Sequence, residues 1–117
     1  MRALVVEDEM IISLELSSIL EDLGAHVMDT DTIAEAIELL RDETFDLIVA
    51  DIRLADGNSE VLLESVRALH PELPMLIVSG LSPGDLTVDL SGKVLWLGKP
   101  FSVEAVRNAV AELLGNP

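Results

Sequence analysis

The chain has 117 residues, room for one hydrophobic core and not two, and half of them are hydrophobic. No apolar run approaches the length of a membrane span and no charged-then-apolar leader opens the chain. With no cysteine there is neither a disulfide framework nor a thiol nucleophile, so a cytoplasmic domain without a membrane partner is expected. Twenty-two acidic residues against seven scattered basic ones give a net charge of −15, which argues against direct nucleic-acid binding because a polyanion needs a basic footprint.

Strand and helix signals alternate five times. Arg2-Ala3-Leu4-Val5-Val6 reads as a short apolar strand, followed at once by Glu7-Asp8-Glu9. Ile12, Leu16, Ile19, Leu20 and Leu23 recur at helical spacing, and Gly24 supplies the stop. Residues 25–28 form a brief second strand, and Ile33, Ala36, Ile37 and Leu40 mark a second helix capped by Asp31 or Thr32. The unbroken apolar run 47–50 suits a strand covered on both faces, and it ends on Asp51. Asp56-Gly57-Asn58-Ser59 is a loop signal, and Leu62, Val66 and Leu69 give a third helix that stops before Pro71. Residues 74–79 read as a fourth strand with Pro at its first position. The stretch 80–92 contains Pro83 and Gly84 and predicts only a short or irregular fourth helix. Residues 94–97 are the fifth strand, Gly98-Lys99-Pro100-Phe101 a turn, and Val103, Val106, Val110, Leu113 and Leu114 the last helix.

This alternation implies right-handed βαβ crossovers: an α/β, doubly wound, flavodoxin-like fold with a five-stranded parallel sheet in the order 2-1-3-4-5 and helices on both faces. The switch point of that order lies between strands one and three, which sets Glu7, Asp8 and Asp51 side by side. Taken singly, each has an ordinary explanation: Asp51 as a helix cap or turn residue, Glu7-Asp8-Glu9 as acids at a helix N-terminus, Ser79 as a turn residue, Lys99 as a solvated cation. Together they do not, because three carboxylates on one rim repel unless a proton or a cation joins them. Oxygen-only ligands favour a hard ion, Mg2+ above all where phosphate is handled. With Ser79 ending the fourth strand and Lys99 following the fifth, the rim holds a carboxylate nucleophile, a metal site, a hydroxyl donor and a fixed cation, the parts needed for phosphoryl transfer.

Four segments in this order, Leu4-Val5-Val6-Glu7-Asp8-Glu9, the run from Asp46 through Asp51 to Leu54, Ser79-Gly80 and Lys99-Pro100-Phe101, resemble the CheY-like receiver domain of two-component response regulators, and the likeness covers residues 1–117 as one domain. The resemblance implies that Asp51 accepts a phosphoryl group from a histidine kinase or histidine phosphotransfer protein. It implies Mg2+ held by Asp8 and Asp51, by Glu7 mainly through water, and by the backbone carbonyl of Arg53. Ser79 with Gly80 and Lys99 then bind the phosphate, Pro100 shapes a turn whose preceding bond family members often hold in cis, and slow self-catalysed dephosphorylation accompanies the switch. A downstream effector or attached output domain reads the fourth and fifth βα loops, and a phosphorylation-dependent dimer is one assembly of this kind.

Trp96 falls where the family pattern has a switch aromatic, usually Tyr or Phe; equally it is a strand aromatic covering apolar surface, and the two readings stay open. Two departures are visible: 19 residues between Ser79 and Lys99, fewer than the family's common spacing, and Ala55 in place of a frequent Pro. Arg53 and Leu81 flank the acceptor and the hydroxyl, where the family tunes the lifetime of the phosphoryl group. Two rivals are an Asp-nucleophile phosphatase, weakened because Arg53 stands where such enzymes carry a second Asp, and a pseudo-receiver that binds partners without phosphorylation.

Overall fold

The computed structural model describes residues 1–51, 53–54, 57–58, 60–80 and 93–115. In chain order these build β1 (Arg2–Val6), α1 (Met10–Asp22), β2 (His26–Thr30), α2 (Ile33–Asp42), β3 (Leu47–Asp51), β4 (Arg53–Leu54), β5 (Gly57–Asn58), α3 (Glu60–Leu69), β6 (Met75–Ser79), β7 (Val94–Gly98) and α4 (Val103–Leu113). Five strands pair in parallel in the order β2-β1-β3-β6-β7, the 2-1-3-4-5 arrangement that the alternation predicts.

The strand sequences explain the two-layered core. Successive side chains of a strand point to opposite faces, so an unbroken apolar run fills both. Leu47 and Val49 of β3 join Ala3 and Val5 of β1 and Leu76 and Val78 of β6 under α1 and α4. Ile48 and Ala50 join Leu4, Val6, Met75 and Ile77 under α2 and α3. Every residue of β3 and β6 is buried, whereas the edge strand β7 is half-buried over Val94, Leu95, Trp96 and Leu97.

Local chemistry sets the helix ends. Thr32, not Asp31, caps α2: its Oγ1 accepts from the Glu35 amide at 3.2 Å, as Ser102 Oγ does from the Ala105 amide at 3.0 Å for α4. Gly24 ends the α1 turn at φ +91°, a left-handed conformation that a side chain would oppose. His70 Nε2 lies 2.6 Å from the Leu40 carbonyl and satisfies one of the last carbonyls of α2.

Two expectations need correction. β2 runs over His26–Thr30 rather than 25–28, because the ladder to β1 continues through Val5↔Asp29 and Val6↔Thr30, positions whose polar side chains mimic a turn. Within the loop signal at 56–59, Gly57 and Asn58 form the short strand β5, paired antiparallel with β4 through Leu54 with Gly57 and Arg53 with Asn58. The expected short helix within 80–92 and the Ala55 substitution lie outside the described residues, save for exposed Gly80.

Candidate functional site

Each site residue is delivered by a strand end. Beyond β1, the Glu7 amide donates to the Thr30 carbonyl at 3.0 Å, extending the strand ladder by one residue and holding the Glu7 side chain in the rim, where the residue is only 2% exposed. Its Oε1 accepts from the Glu9 amide at 3.1 Å, so the chain turns around the carboxylate before α1 begins. Asp51 is the last residue of β3 and is 6% exposed; Asp8 faces solvent. One carboxylate oxygen from each of Glu7, Asp8 and Asp51 lies within 4.8 Å of the others.

Lys99 arrives from the far side. Its amide donates to the Ser79 carbonyl at 2.9 Å, one step past the β6–β7 ladder, and the Lys99–Pro100 bond is cis. From there Lys99 Nζ donates to Asp51 Oδ2 at 2.8 Å and to Glu7 Oε2 at 3.2 Å. Ser79, 2% exposed, ends β6 beside Gly98 of β7. Gly80 follows it in the open. Arg53 lies in β4, two residues past Asp51. Trp96 sits opposite Ile77 and packs on the α2–α3 face of the sheet, three residues before Lys99.

Burial pushes the Glu7 carboxyl up to about 7, and the negative charge of Asp51 adds to that; the Glu9 amide and Lys99 act in the other direction. For Lys99, burial disfavours the ammonium, but the hydrogen bond to Asp51 and the charges of Glu7 and Asp51 outweigh it and raise its pKa. Two of the three clustered carboxylates, Glu7 and Asp51, therefore share one ammonium, and the cluster stays short of positive charge. The donors are all oxygen, two of them buried, which suits a hard divalent ion.

The rim thus joins Glu7, Asp8, Asp51 and Lys99 as the sequence predicts, with Ser79 tied to it through the Lys99 amide. The Lys99–Glu7 contact and the supporting Thr30 carbonyl were not foreseen. The first joins residues 92 positions apart, and the second is a backbone group without a sequence signature.

A family model described as the response regulator receiver domain matches residues 3–111. The chain belongs to the response regulator receiver family. Over 97% of its length this receiver is 35% identical to the alginate biosynthesis transcriptional regulatory protein AlgB of Pseudomonas putida. It is 29% identical to the transcriptional regulatory protein ZraR of Klebsiella oxytoca. It spans about a quarter, 26%, of either relative. A response regulator receiver protein from Sinorhizobium medicae superposes with a TM-score of 0.88 at 28% identity, covering 97% of this chain and 94% of that one. The receiver is thus a switch domain of the two-component type, and neither rival reading gains support from these matches.

Proposed function

We propose that Asp51 is the phosphoacceptor of this receiver and takes its phosphoryl group from a phosphohistidine on a histidine kinase or phosphotransfer protein. The observation that supports this most is the Lys99 ammonium held on Asp51 and Glu7 in a rim where three carboxylates converge. Glu7, Asp8, Asp51 and the Arg53 carbonyl would hold Mg2+, which when bound supplies positive charge to the phosphoryl oxygens. A carboxylate oxygen of Asp51 attacks phosphorus, the bond from phosphorus to the donor imidazole breaks, and the imidazole nitrogen keeps the electron pair. Lys99 and Ser79, with the Gly80 backbone, stabilise the phosphoryl oxygens in the acyl phosphate that results, and slow attack by water later returns the carboxylate.

The new charge on Asp51 competes for Lys99, which now rests on Glu7 and Asp51, so phosphorylation biases the loops that follow β6 and β7. Trp96, three residues upstream on β7, reports or takes part in that shift. The output is a downstream protein or an attached output domain, with dimerisation on phosphorylation as one route; the setting is the cytoplasm, and residues 1–117 act as one receiver domain.

The test is to incubate the protein with Mg2+ and acetyl phosphate and look for a base-labile phosphoryl adduct by mass spectrometry. Wild type is expected to gain one phosphoryl group and Asp51→Asn none. A labelled Asp51→Asn, or an unlabelled wild type, rejects the assignment.

A further inference from the structure

At the foot of the sheet, opposite the acidic rim, a recess of about 450 Å³ opens between the start of β3 and the turn that leads into β6. Asp46 stands five residues before Asp51, about 16 Å of strand, so the recess is separate from the phosphoacceptor site. Its surface is apolar over Phe45, Leu69 and Leu73, of which Leu73 is buried and Leu69 is 40% exposed. Its polar side chains are Asp46, His70 and Glu72. His70 Nε2 lies 2.6 Å from the Leu40 carbonyl. A carbonyl only accepts, so Nε2 carries the ring proton and the neutral imidazole keeps a lone pair at Nδ1. Asp46 Oδ2 accepts from the Arg2 amide at 2.8 Å, which leaves Oδ1 without a hydrogen bond among the described residues. The recess therefore offers two carboxylates and an imidazole lone pair, and no side-chain donor beyond the one His70 has already spent.

Two cations stand near it, and neither lines it. The Arg2 guanidinium is held on Glu43 at 2.7 Å and on the Thr44 carbonyl at 3.0 Å. Arg67 donates to the Pro71 and Leu73 carbonyls at 3.1 and 2.9 Å. With the Leu73 amide on the His70 carbonyl at 3.1 Å and the Ile48 amide on the Pro74 carbonyl at 3.0 Å, these bonds fix the wall before anything binds. We infer that this recess is a second binding site, for a small organic cation: an ammonium or guanidinium carried on an aryl or alkyl body. The apolar surface takes the body, and Asp46, Glu72 and the His70 lone pair take the N–H donors. A free small molecule fits better than a protein partner, because Leu69 is the one exposed large apolar residue among those lining the recess, too little for the apolar core of a protein interface. The net charge of −15 draws cations to the protein in general, so the apolar body is what makes the site selective.

The test titrates the 15N-labelled protein with three compounds to about 10 mM at constant pH and salt, following its amide signals: phenethylamine, methylamine as a cation without a body, and 3-phenylpropionate as a body with the opposite charge. Phenethylamine is expected to shift the amides of Phe45, Asp46, His70, Glu72 and Leu73 with saturation, and to bind at least about tenfold more tightly than either of the others. Asp46→Asn/Glu72→Gln keeps an oxygen acceptor for the Arg2 amide and is expected to weaken phenethylamine by about fivefold or more, while Mg2+ still shifts the rim amides as in wild type. Shifts spread over the acidic surface or confined to the rim overturn the site, as do 3-phenylpropionate or methylamine binding as tightly as phenethylamine, unchanged affinity in the double variant, or no saturation with any compound. Should the double variant fail to fold, the comparison of the three compounds on wild type decides.

Discussion

Glu7 and Lys99 show how the site trades stability for charge. Glu7 ionises at 4.5 in a solvated chain and at about 7 in the fold, so the folded state holds its proton more tightly. The sign follows: this contribution to stability is fully present below about 4.5, falls as pH rises, and is gone above about 7. Metal-free protein is therefore expected to lose thermal stability through Glu7 across that window, and Glu7→Gln to flatten the loss, as melting curves of both proteins against pH will show. Mg2+ must displace the same proton, so its affinity is expected to increase from pH 6 to pH 8, with proton release at the lower pH, measurable by calorimetry in buffers of different ionisation enthalpy. Lys99 is the counterweight. Lys99→Met leaves Glu7 and Asp51 facing each other without an ammonium, which is expected to cost on the order of 2–3 kcal/mol in metal-free denaturant unfolding, part of it recovered on adding Mg2+.

Elements were legible where a local rule acts alone. The helical spacing of Leu16, Ile19 and Leu20 places α1, and Gly24 stops it because its φ of +91° suits a residue without a side chain. Gly24→Ala is expected to cost about 1 kcal/mol in chemical denaturation through backbone strain alone, since a methyl group there would meet nothing within 4 Å. Ser102→Ala removes the cap of α4 and is expected to cost a similar amount, about 1 kcal/mol, by the same measurement. Elements were illegible where pairing overrides local character. Asp29 and Thr30 look like turn residues, yet β1 recruits them into β2. Gly57 and Asn58 read as a loop, yet they pair with Leu54 and Arg53. His70 gave no sign of its role, because its partner is a backbone carbonyl thirty residues away.

For the whole molecule, the sheet that separates two apolar clusters also carries the rim, so the strands bearing Glu7, Asp51, Ser79 and Lys99 are held by packing on both faces. Leu62, fully buried in the α2–α3 cluster, is expected to cost about 2–5 kcal/mol when cut to Ala, with Mg2+ binding retained at temperatures where the variant is folded. Trp96 is the only tryptophan and the chain has no tyrosine, so intrinsic emission isolates β7. Mg2+ with beryllofluoride, which mimics the phosphoryl group, is expected to shift that emission in wild type and not in Asp51→Asn. An unchanged spectrum in both would leave Trp96 as a cover for apolar surface, the other reading that its sequence position allowed.

The sequence by itself determined which segments bury both faces, which carboxylates end them, and, through four short segments in order, which family they compose. These are properties of neighbours along the chain, where periodicity and capping act. The ammonium shared between Glu7 and Asp51, the elevated pKa of Glu7 and the acceptor-lined recess at the foot of the sheet were decided only by the tertiary structure. Each depends on how far a side chain is withdrawn from water and which distant residue meets it there, and both are set by strand order and register rather than by local pattern.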